Sequence, residues 1–174
     1  MRNSGEKRRP GRHDNGLKTR KAQRLVYYLR PMELSDLDQV MEIERQAFVE
    51  PWAKGCFEYE ILVLDASELT VAVSRDRILG YTVAWFLDDE VHLANVAVEK
   101  RSRGLGIGRT LVEAVMNRAV EEGAERVALE VRRSNVEAQR LYETLGFVRS
   151  GVRKNYYAKE KEDAILMTCY LGTA

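Results

Sequence analysis

Hydrophobic and polar positions along the chain follow two periods, one typical of strands and one typical of helices. Apolar runs bounded by turn residues predict strands, and apolar residues three and four positions apart predict helices. The predicted strands are Leu25–Arg30, Leu69–Ser74, Ile78–Leu87, Val91–Val98, Arg126–Val131, Phe147–Tyr157 and Ala164–Leu171. The predicted helices are Ser35–Phe48, Phe57–Leu64, Thr110–Glu122 and Ser134–Leu145.

Start and stop signals support these helices. Ser35 precedes the apolar stripe of the first helix, and an acid, Asp38, follows Ser35 by three residues. Ser134 and Glu137 have the spacing of a capping box. Gly123 and Gly146 follow the last periodic residues of two helices. The order β-α-α-β-β-β-α-β-α-β-β predicts an α/β domain whose mixed central sheet of six to seven strands is flanked by about four helices. Its strand–helix–strand centre predicts a parallel pair.

The net charge of +1 conceals two oppositely charged parts. Residues 1–24 carry nine Lys or Arg against Glu6 and Asp14, a balance of +7 that leaves −6 for the remaining residues. This basic arm has almost nothing apolar to bury, so we expect it to be disordered and the folded domain to span residues 25–174. An arm of this charge suits contact with RNA or a ribosome, and it equally suits a solvated tail.

Other features narrow the class of protein. No apolar run approaches the roughly 20 residues that span a bilayer, and the first residues lack the apolar stretch of a signal peptide. Cys56 and Cys169 lie far apart, with no second Cys or His at ligand spacing. The sequence therefore predicts neither a disulfide framework nor a metal site, and we expect a protein of the reducing cytoplasm.

The strongest local signal is the glycine loop, residues 103–109 (RGLGIGR), between a predicted strand and a predicted helix. Three glycines at alternate positions let the backbone approach an anion, and the helix that follows offers unpaired N–H groups. A P-loop would need Gly at position 103 and Lys at position 109, and a dinucleotide fingerprint would need Gly at position 109. This chain has Arg at both positions. Both are excluded, which leaves another anion site or a structural turn.

The loop resembles the acetyl-CoA motif of the GNAT superfamily, because Arg103-x-x-Gly106-x-Gly108 follows the strand segment NVAV (95–98) and precedes an amphipathic helix. Further segments are similar to RimI-type N-terminal acetyltransferases: LEVR (129–132), SN (134–135), LYE (141–143), LGF (145–147), NYY (155–157) and EDAILM (162–167), with Phe48-x-x-Pro51-Trp52 upstream. The resemblance covers roughly residues 27–171. It implies a single GNAT-like domain with acetyl-CoA as co-substrate and no metal. The implied acetyl-CoA contacts are Val96, Ala97, Val98, Arg103, Gly104, Leu105, Gly106, Ile107, Gly108, Arg109, Asn135 and Tyr142.

Acetyl transfer from a thioester requires a neutral amine and help for the departing thiolate. Glu130 is an acid within an apolar strand, which suits either an outward-facing position or a general base. The resemblance implies that Glu130 is the base, and burial is expected to raise its pKa. Tyr142, alone a candidate core aromatic, is implied to protonate the leaving thiolate. His92 has two interpretations, a water-mediated assistant to deprotonation or a satisfied strand histidine.

The acceptor is implied to be the α-amine of a protein N-terminus. In bacterial relatives of this type it belongs to a ribosomal protein that begins with alanine. The implied acceptor contacts are Phe48, Pro51, Trp52, Tyr156 and Tyr157, which ordinary packing would also explain. Three alternatives stay open: an acetyltransferase for small amines such as polyamines or aminoglycosides, a non-catalytic CoA-binding module, and an RNA-binding protein.

Overall fold

Seven strands and four α-helices form within residues 25–172, the part of the chain that the computed structural model describes. The strands are β1 (Tyr28–Pro31), β2 (Ser67–Ser74), β3 (Arg77–Leu87), β4 (Glu90–Val98), β5 (Arg126–Arg132), β6 (Val148–Tyr157) and β7 (Glu162–Tyr170). The helices are α1 (Leu37–Ala47), α2 (Lys54–Leu62), α3 (Ile107–Glu121) and α4 (Val136–Thr144). Their order along the chain is the predicted one.

All seven strands belong to one sheet, in the order β1-β2-β3-β4-β5-β7-β6. Neighbouring strands are antiparallel except β4 and β5, which are parallel and joined through α3. The prediction of a mixed sheet with a central parallel pair is confirmed. The basic arm lies outside the described residues.

The parallel pair opens towards the carboxyl ends of its strands. Only Glu90–His92 of β4 pair with Arg126–Ala128 of β5, although both strands continue for several residues. Beyond that point β4 keeps its pairing with β3, and β5 keeps its pairing with β7. A gap lined by backbone edges therefore separates β4 from β5 in the middle of the sheet.

A β-bulge in β4 lies beside this gap. Val83 pairs with Asn95 and Ala84 with Leu93, so Ala94 is an extra residue with no partner on β3. Strict alternation would place residues 92 and 95 on opposite faces of the sheet. The bulge shifts that alternation, and both His92 and Asn95 face the same cavity.

Helices cover both faces of the sheet. On one face, α1 and α2 contribute Leu37, Val40 and Phe57 to a core with Val71 and Tyr81. On the other face, α3 and α4 pack against β4, β5 and β7 through a core that includes Val112, Val115, Tyr142, Leu129 and Met167. Alternation along β2 explains the division, because Val71 belongs to the first core while Ala72 packs with Leu111 of α3.

Several predicted element starts differ from the structure: β1 begins at Tyr28 rather than at Leu25, and α2 begins at Lys54 rather than at Phe57. The helix predicted from Thr110 begins at Ile107, and the helix predicted from Ser134 begins after Asn135, whose side chain accepts the Ala138 N–H at 3.2 Å. The first α-helix begins at Leu37 rather than at Ser35, after a short 3-10 turn.

Among the described residues, no helix is long and apolar enough to cross a membrane, and no group of three His, Cys, Asp or Glu is placed to hold a metal.

Candidate active site

The glycine loop has a backbone that favours glycine at two of its three glycine positions. Gly104 has φ of +73° and Gly106 has φ of +84°, and both lie in the left-handed region that side chains disfavour. Helix α3 begins directly after Gly106, and its first hydrogen bond runs from Thr110 N–H to Gly106 O. The N–H groups of residues 107–109 have no acceptor within the helix, so this helix start can bind an anion.

Gly108 lies inside the first turn of α3. A Cβ added there would meet Val98 at 3.5 Å and Leu141 at 3.7 Å, which are ordinary contacts. The fold itself therefore tolerates a side chain at residue 108.

The two arginines of the glycine loop are bound to the chain itself. Arg103 Nε donates to Val98 O at 3.1 Å, and Arg109 donates to Thr144 Oγ1 at 2.6 Å and pairs with Glu113 at 3.4 Å. Arg103 thus fixes the turn out of β4, and Arg109 ties α3 to α4. Leu105 is exposed and Ile107 is buried.

A cavity of about 410 Å³ lies between the α1–α2 connection, the opened ends of β4 and β5, α4 and the β6–β7 hairpin. We call it the central cavity. Eight predicted site residues line it: Phe48, Trp52, Val96, Glu130, Asn135, Tyr142, Tyr156 and Tyr157. Ala97, Val98 and the glycine loop lie outside its lining, and so does Pro51, which is exposed between two lining residues.

Glu130 is held at the cavity by one partner on each oxygen. His92 Nε2 lies 2.9 Å from Oε2, and an Arg153 guanidinium nitrogen lies 3.1 Å from Oε1. The hydrogen bond from His92, together with the charges of His92 and Arg153, lowers the pKa of Glu130 despite its burial. The expectation of a raised pKa is wrong: burial acts in that direction, but the hydrogen bond from His92 and the two neighbouring charges outweigh it. The sequence alone does not show that His92 and Arg153 contact the carboxylate.

His92 is fixed by its own neighbours. Its ring stacks on Trp85 with centroids 5.5 Å apart and planes 20° apart, and Trp85 Nε1 donates to Glu60 at 2.9 Å. The contact with the Glu130 carboxylate fits both interpretations of His92, because it satisfies the ring nitrogen and also places the ring where it can assist deprotonation. The same contact places a second proton-carrying group beside Glu130.

Two phenols of the cavity are shielded from solvent: Tyr142 is buried and Tyr157 is half-buried. Tyr142 is 6% exposed and packs on Phe147 with ring centroids 5.7 Å apart, so it is a core aromatic as well as a cavity residue. Burial raises the pKa of Tyr142 above its ordinary value, and it raises the pKa of Tyr157 to about 12. Both side chains are therefore neutral hydrogen-bond donors near pH 7.

A buried carboxylate that the sequence reasoning did not single out lies at the floor of the cavity. Glu44 of α1 has no exposed surface and accepts hydrogen bonds from the Trp52 N–H at 2.8 Å, the Tyr81 hydroxyl and the Asn95 amide at 3.3 Å. Burial raises its pKa, against these hydrogen bonds. The signal in the sequence was an acid within the apolar stripe of the first helix. Glu44 fixes the segment that carries Trp52 to the sheet.

Arg132 anchors the opposite wall. Its guanidinium lies 3.9 Å from the centre of the Tyr157 ring and pairs with Glu160 at 2.6 Å. Across the cavity mouth, Lys159 approaches Glu50 at 3.4 Å. The β6–β7 hairpin is thus bound to β5 and to the α1–α2 connection, and Tyr156 and Tyr157 are held over the cavity.

The sequence profile of the acetyltransferase (GNAT) family matches residues 37–147, from the start of α1 to three residues beyond α4. The chain belongs to the GNAT acetyltransferase family. A Bacillus subtilis relative is 37% identical over 139 residues, which are 80% of this chain and 92% of that protein. A Haemophilus influenzae relative named [ribosomal protein bS18]-alanine N-acetyltransferase is 34% identical over 149 residues, which are 80% of this chain and 96% of that protein.

A solved structure agrees with these relatives. The crystal structure of the ribosomal-protein-S18-alanine N-acetyltransferase from Escherichia coli superposes with a TM-score of 0.78 at 29% identity, and it covers 86% of this chain and 96% of that one. The resemblance found in the sequence is therefore confirmed, and so are the GNAT fold and the assignment as an acetyltransferase. Acetyltransferases of this family use acetyl-CoA as the acetyl donor.

Two structural features of this GNAT chain fit acetyl-CoA. The helix start after Gly106 suits a pyrophosphate, because three N–H groups without helical acceptors point outward there. The gap between β4 and β5 suits an extended chain, because β4 beyond His92 has backbone groups that β5 does not pair. The gap leads to the central cavity, where Glu130 and Tyr142 lie.

Proposed function

We propose that this enzyme transfers the acetyl group of acetyl-CoA to the N-terminal α-amine of a protein. The observation that carries the proposal is that Glu130, Tyr142 and four aromatic groups line one cavity at the open end of the β4–β5 gap. Relatives that align with most of the chain are named as alanine N-acetyltransferases of ribosomal protein bS18. The proposed acceptor is accordingly the N-terminus of a ribosomal protein that begins with alanine.

The proposed donor site consists of the predicted residues of β4 and α3. Val96, Ala97 and Val98 present backbone edges to the extended part of acetyl-CoA, and residues 104–109 present amides to its pyrophosphate. Asn135 lies at the start of α4 and lines the cavity. In this proposal the same residue both caps the helix and contacts the donor. Arg103 and Arg109 act chiefly by shaping this loop, since both are bound to the chain.

In the proposed mechanism, Glu130 binds the acceptor's ammonium and accepts a proton from it directly or through water. His92, at 2.9 Å, keeps the carboxylate oriented and offers a path for that proton to solvent. A new bond joins the amine nitrogen to the acetyl carbon, the bond between that carbon and sulfur breaks, and the nitrogen releases its second proton, which makes good through solvent the proton that the sulfur takes up. Tyr142 donates its phenolic proton or a hydrogen bond to the departing sulfur, since burial keeps this phenol neutral.

The acceptor's first residues are proposed to lie between Phe48 and Trp52 on one side and Tyr156 and Tyr157 on the other. These aromatics come from the two segments that Glu44 and Arg132 anchor, so the walls are held apart at a set width. Flat side chains suit contact with a peptide backbone and a small first side chain. Pro51 contributes through the shape of the connection rather than by contact.

Turnover on a panel of peptides that differ only in their first two residues tests the proposal, with thiol release as the readout. Wild type should acetylate peptides that begin with Ala or Ser. Glu130→Gln and Tyr142→Phe should each reduce kcat/KM by about 10²-fold or more. Val136→Ala, at an exposed position near Asn135, is the matched control and should keep wild-type activity. Activity on polyamines or aminoglycosides with silence on every peptide would replace this proposal with the small-amine one.

A further inference from the structure

The carboxylate oxygen that would receive the acceptor already has a cationic partner. Arg153 of β6 lies 3.1 Å from Glu130 Oε1, while His92 occupies Oε2. A guanidinium and an ammonium are both cationic N–H donors. Two such groups on one oxygen would lie on the order of 4 Å apart, where their charges repel. An acceptor ammonium and Arg153 therefore compete for Oε1.

The two partners of Glu130 differ in how firmly they are held. The His92 side chain is 20% exposed and stacks on Trp85. The Arg153 side chain is 55% exposed, and an ion pair of that exposure contributes little stability. Of the two, Arg153 is the partner that can leave.

Arg153 also has a second resting place. Its guanidinium lies 5.2 Å from the centre of the Tyr156 ring, within the range of a cation–π contact. The chain just after it is irregular, because Arg153 pairs with Ala164 and the next pair is Tyr157 with Glu162. Three residues of β6 thus face one residue of β7. The side chain can leave Glu130 and keep its contact with Tyr156, without loss of the strand pairing at Arg153.

We propose that Arg153 is a displaceable counter-ion that occupies the acceptor's ammonium position on Glu130 Oε1 and thereby sets the affinity of the enzyme for amine acceptors. The inference rests on the proposed function, since it takes Glu130 to be the group that binds the acceptor amine. An arriving ammonium replaces Arg153, which moves onto Tyr156. No covalent bond is made or broken in this exchange, and the charge beside Glu130 is conserved.

Binding of matched peptides to Arg153→Gln tests the exchange without turnover. The probes are an alanine-starting peptide and its N-acetylated counterpart, measured by calorimetry near pH 6.5, where an α-amine with a pKa of about 7.7–8.0 is charged. Arg153→Gln should bind the free-amine peptide about two- to fivefold more tightly, the range expected for loss of one exposed competing pair. Its affinity for the acetylated peptide should stay unchanged, because that peptide has no ammonium.

Two controls isolate the effect. Arg153→Lys keeps the cation and should retain wild-type affinity for both peptides. Lys154→Gln removes the neighbouring cation, which is 73% exposed and pairs with Asp163 instead, and should change neither affinity. In steady state, Arg153→Gln should lower the peptide KM by the same factor and leave the KM of acetyl-CoA unchanged.

The outcomes separate this inference from the proposed function. The displacement would be overturned if Arg153→Gln bound the free-amine peptide equally or more weakly, or if its affinity changed equally for both peptides. Wild-type turnover on peptides would still uphold the proposed function in that case. Weaker binding of both peptides would instead assign Arg153 to holding the peptide chain. Absence of wild-type turnover on every peptide would remove the proposed function and, with it, this inference.

Discussion

Glu130 combines a favourable position with a low basicity. An α-amine has a pKa of about 7.7–8.0 and an ordinary Glu about 4.3, so direct proton transfer from ammonium to carboxylate costs about 5 kcal/mol. The pKa of Glu130 lies lower still, because His92 donates a hydrogen bond to it. The residue is thus better suited to bind the ammonium and pass its proton on than to store it.

We expect the pH profile to follow the acceptor rather than Glu130. The carboxylate is already charged above its lowered pKa, so kcat/KM should rise about tenfold per pH unit until the amine is neutral near pH 8. A plateau reached by about pH 6 would contradict this.

His92→Phe removes the hydrogen bond that is the largest cause of the lowered pKa of Glu130. The Glu130 carboxyl should therefore titrate at higher pH in a carbon-detected NMR experiment.

Glu44 contributes stability through the donors that it satisfies. Glu44→Leu would leave the Trp52 N–H, the Tyr81 hydroxyl and the Asn95 amide without their acceptor. We expect a loss of about 3 kcal/mol in the free energy of unfolding, since each unsatisfied buried donor costs about 1–3 kcal/mol. Glu44→Gln keeps one oxygen and should lose about 1 kcal/mol. Equal urea midpoints for wild type and Glu44→Leu would show that the network carries no stability.

At the scale of elements, the glycine loop offers a matched pair of glycines. Gly106 and Gly123 have φ of +84° and +78°, and an added Cβ would meet nothing within 4 Å at either position. Alanine at each should therefore cost about 1 kcal/mol of stability by backbone strain alone. Only Gly106→Ala should also raise the KM of acetyl-CoA, because Gly106 precedes the helix start of the proposed pyrophosphate site. Equal KM values for acetyl-CoA in the two variants would show that the glycine loop does not take part in donor binding.

The order of elements was predictable, and their finer geometry was not. Apolar periodicity specified all seven strands and four helices, because each buries one face. It placed the start of α3 three residues late, because the glycines on either side of Ile107 indicate a loop, although Ile107 lies four residues before Leu111 on the same buried face. The bulge at Ala94 has no composition signal, yet it brings His92 and Asn95 to one face. The lowered pKa of Glu130 depends on the contact between His92 and its carboxylate, which only the folded chain shows.

At the scale of the whole molecule, the site is assembled from both halves of the sheet. One half supplies α1, the Trp52 segment and His92, and the other supplies Glu130, Tyr142 and the β6–β7 hairpin. The halves meet at the short parallel contact between β4 and β5, where three residue pairs join them. The same opening therefore serves the donor and leads to the acceptor cavity. The sequence resemblance named eight of the residues that line this cavity, but it did not single out Glu44, Trp85, Asn95 or Arg132.

The basic arm, residues 1–24, remains a prediction of the sequence because it lies outside the described residues. Its charge of +7 predicts association with RNA or ribosomes that weakens as salt rises. Removal of residues 1–24 should reduce co-sedimentation with ribosomes at low salt and leave turnover on a short peptide unchanged. Unchanged co-sedimentation would assign the arm no role in that contact.

The central claim is that the acetyl group goes to an N-terminal α-amine. The most direct test is a single peptide that begins with alanine and carries one internal lysine, incubated with wild-type enzyme and acetyl-CoA. Tandem mass spectrometry then locates the added acetyl group. We predict acetylation of the alanine nitrogen alone, with loss of the product in Glu130→Gln. Acetylation of the lysine side chain, or no product beside ready acetylation of a polyamine, would contradict the account.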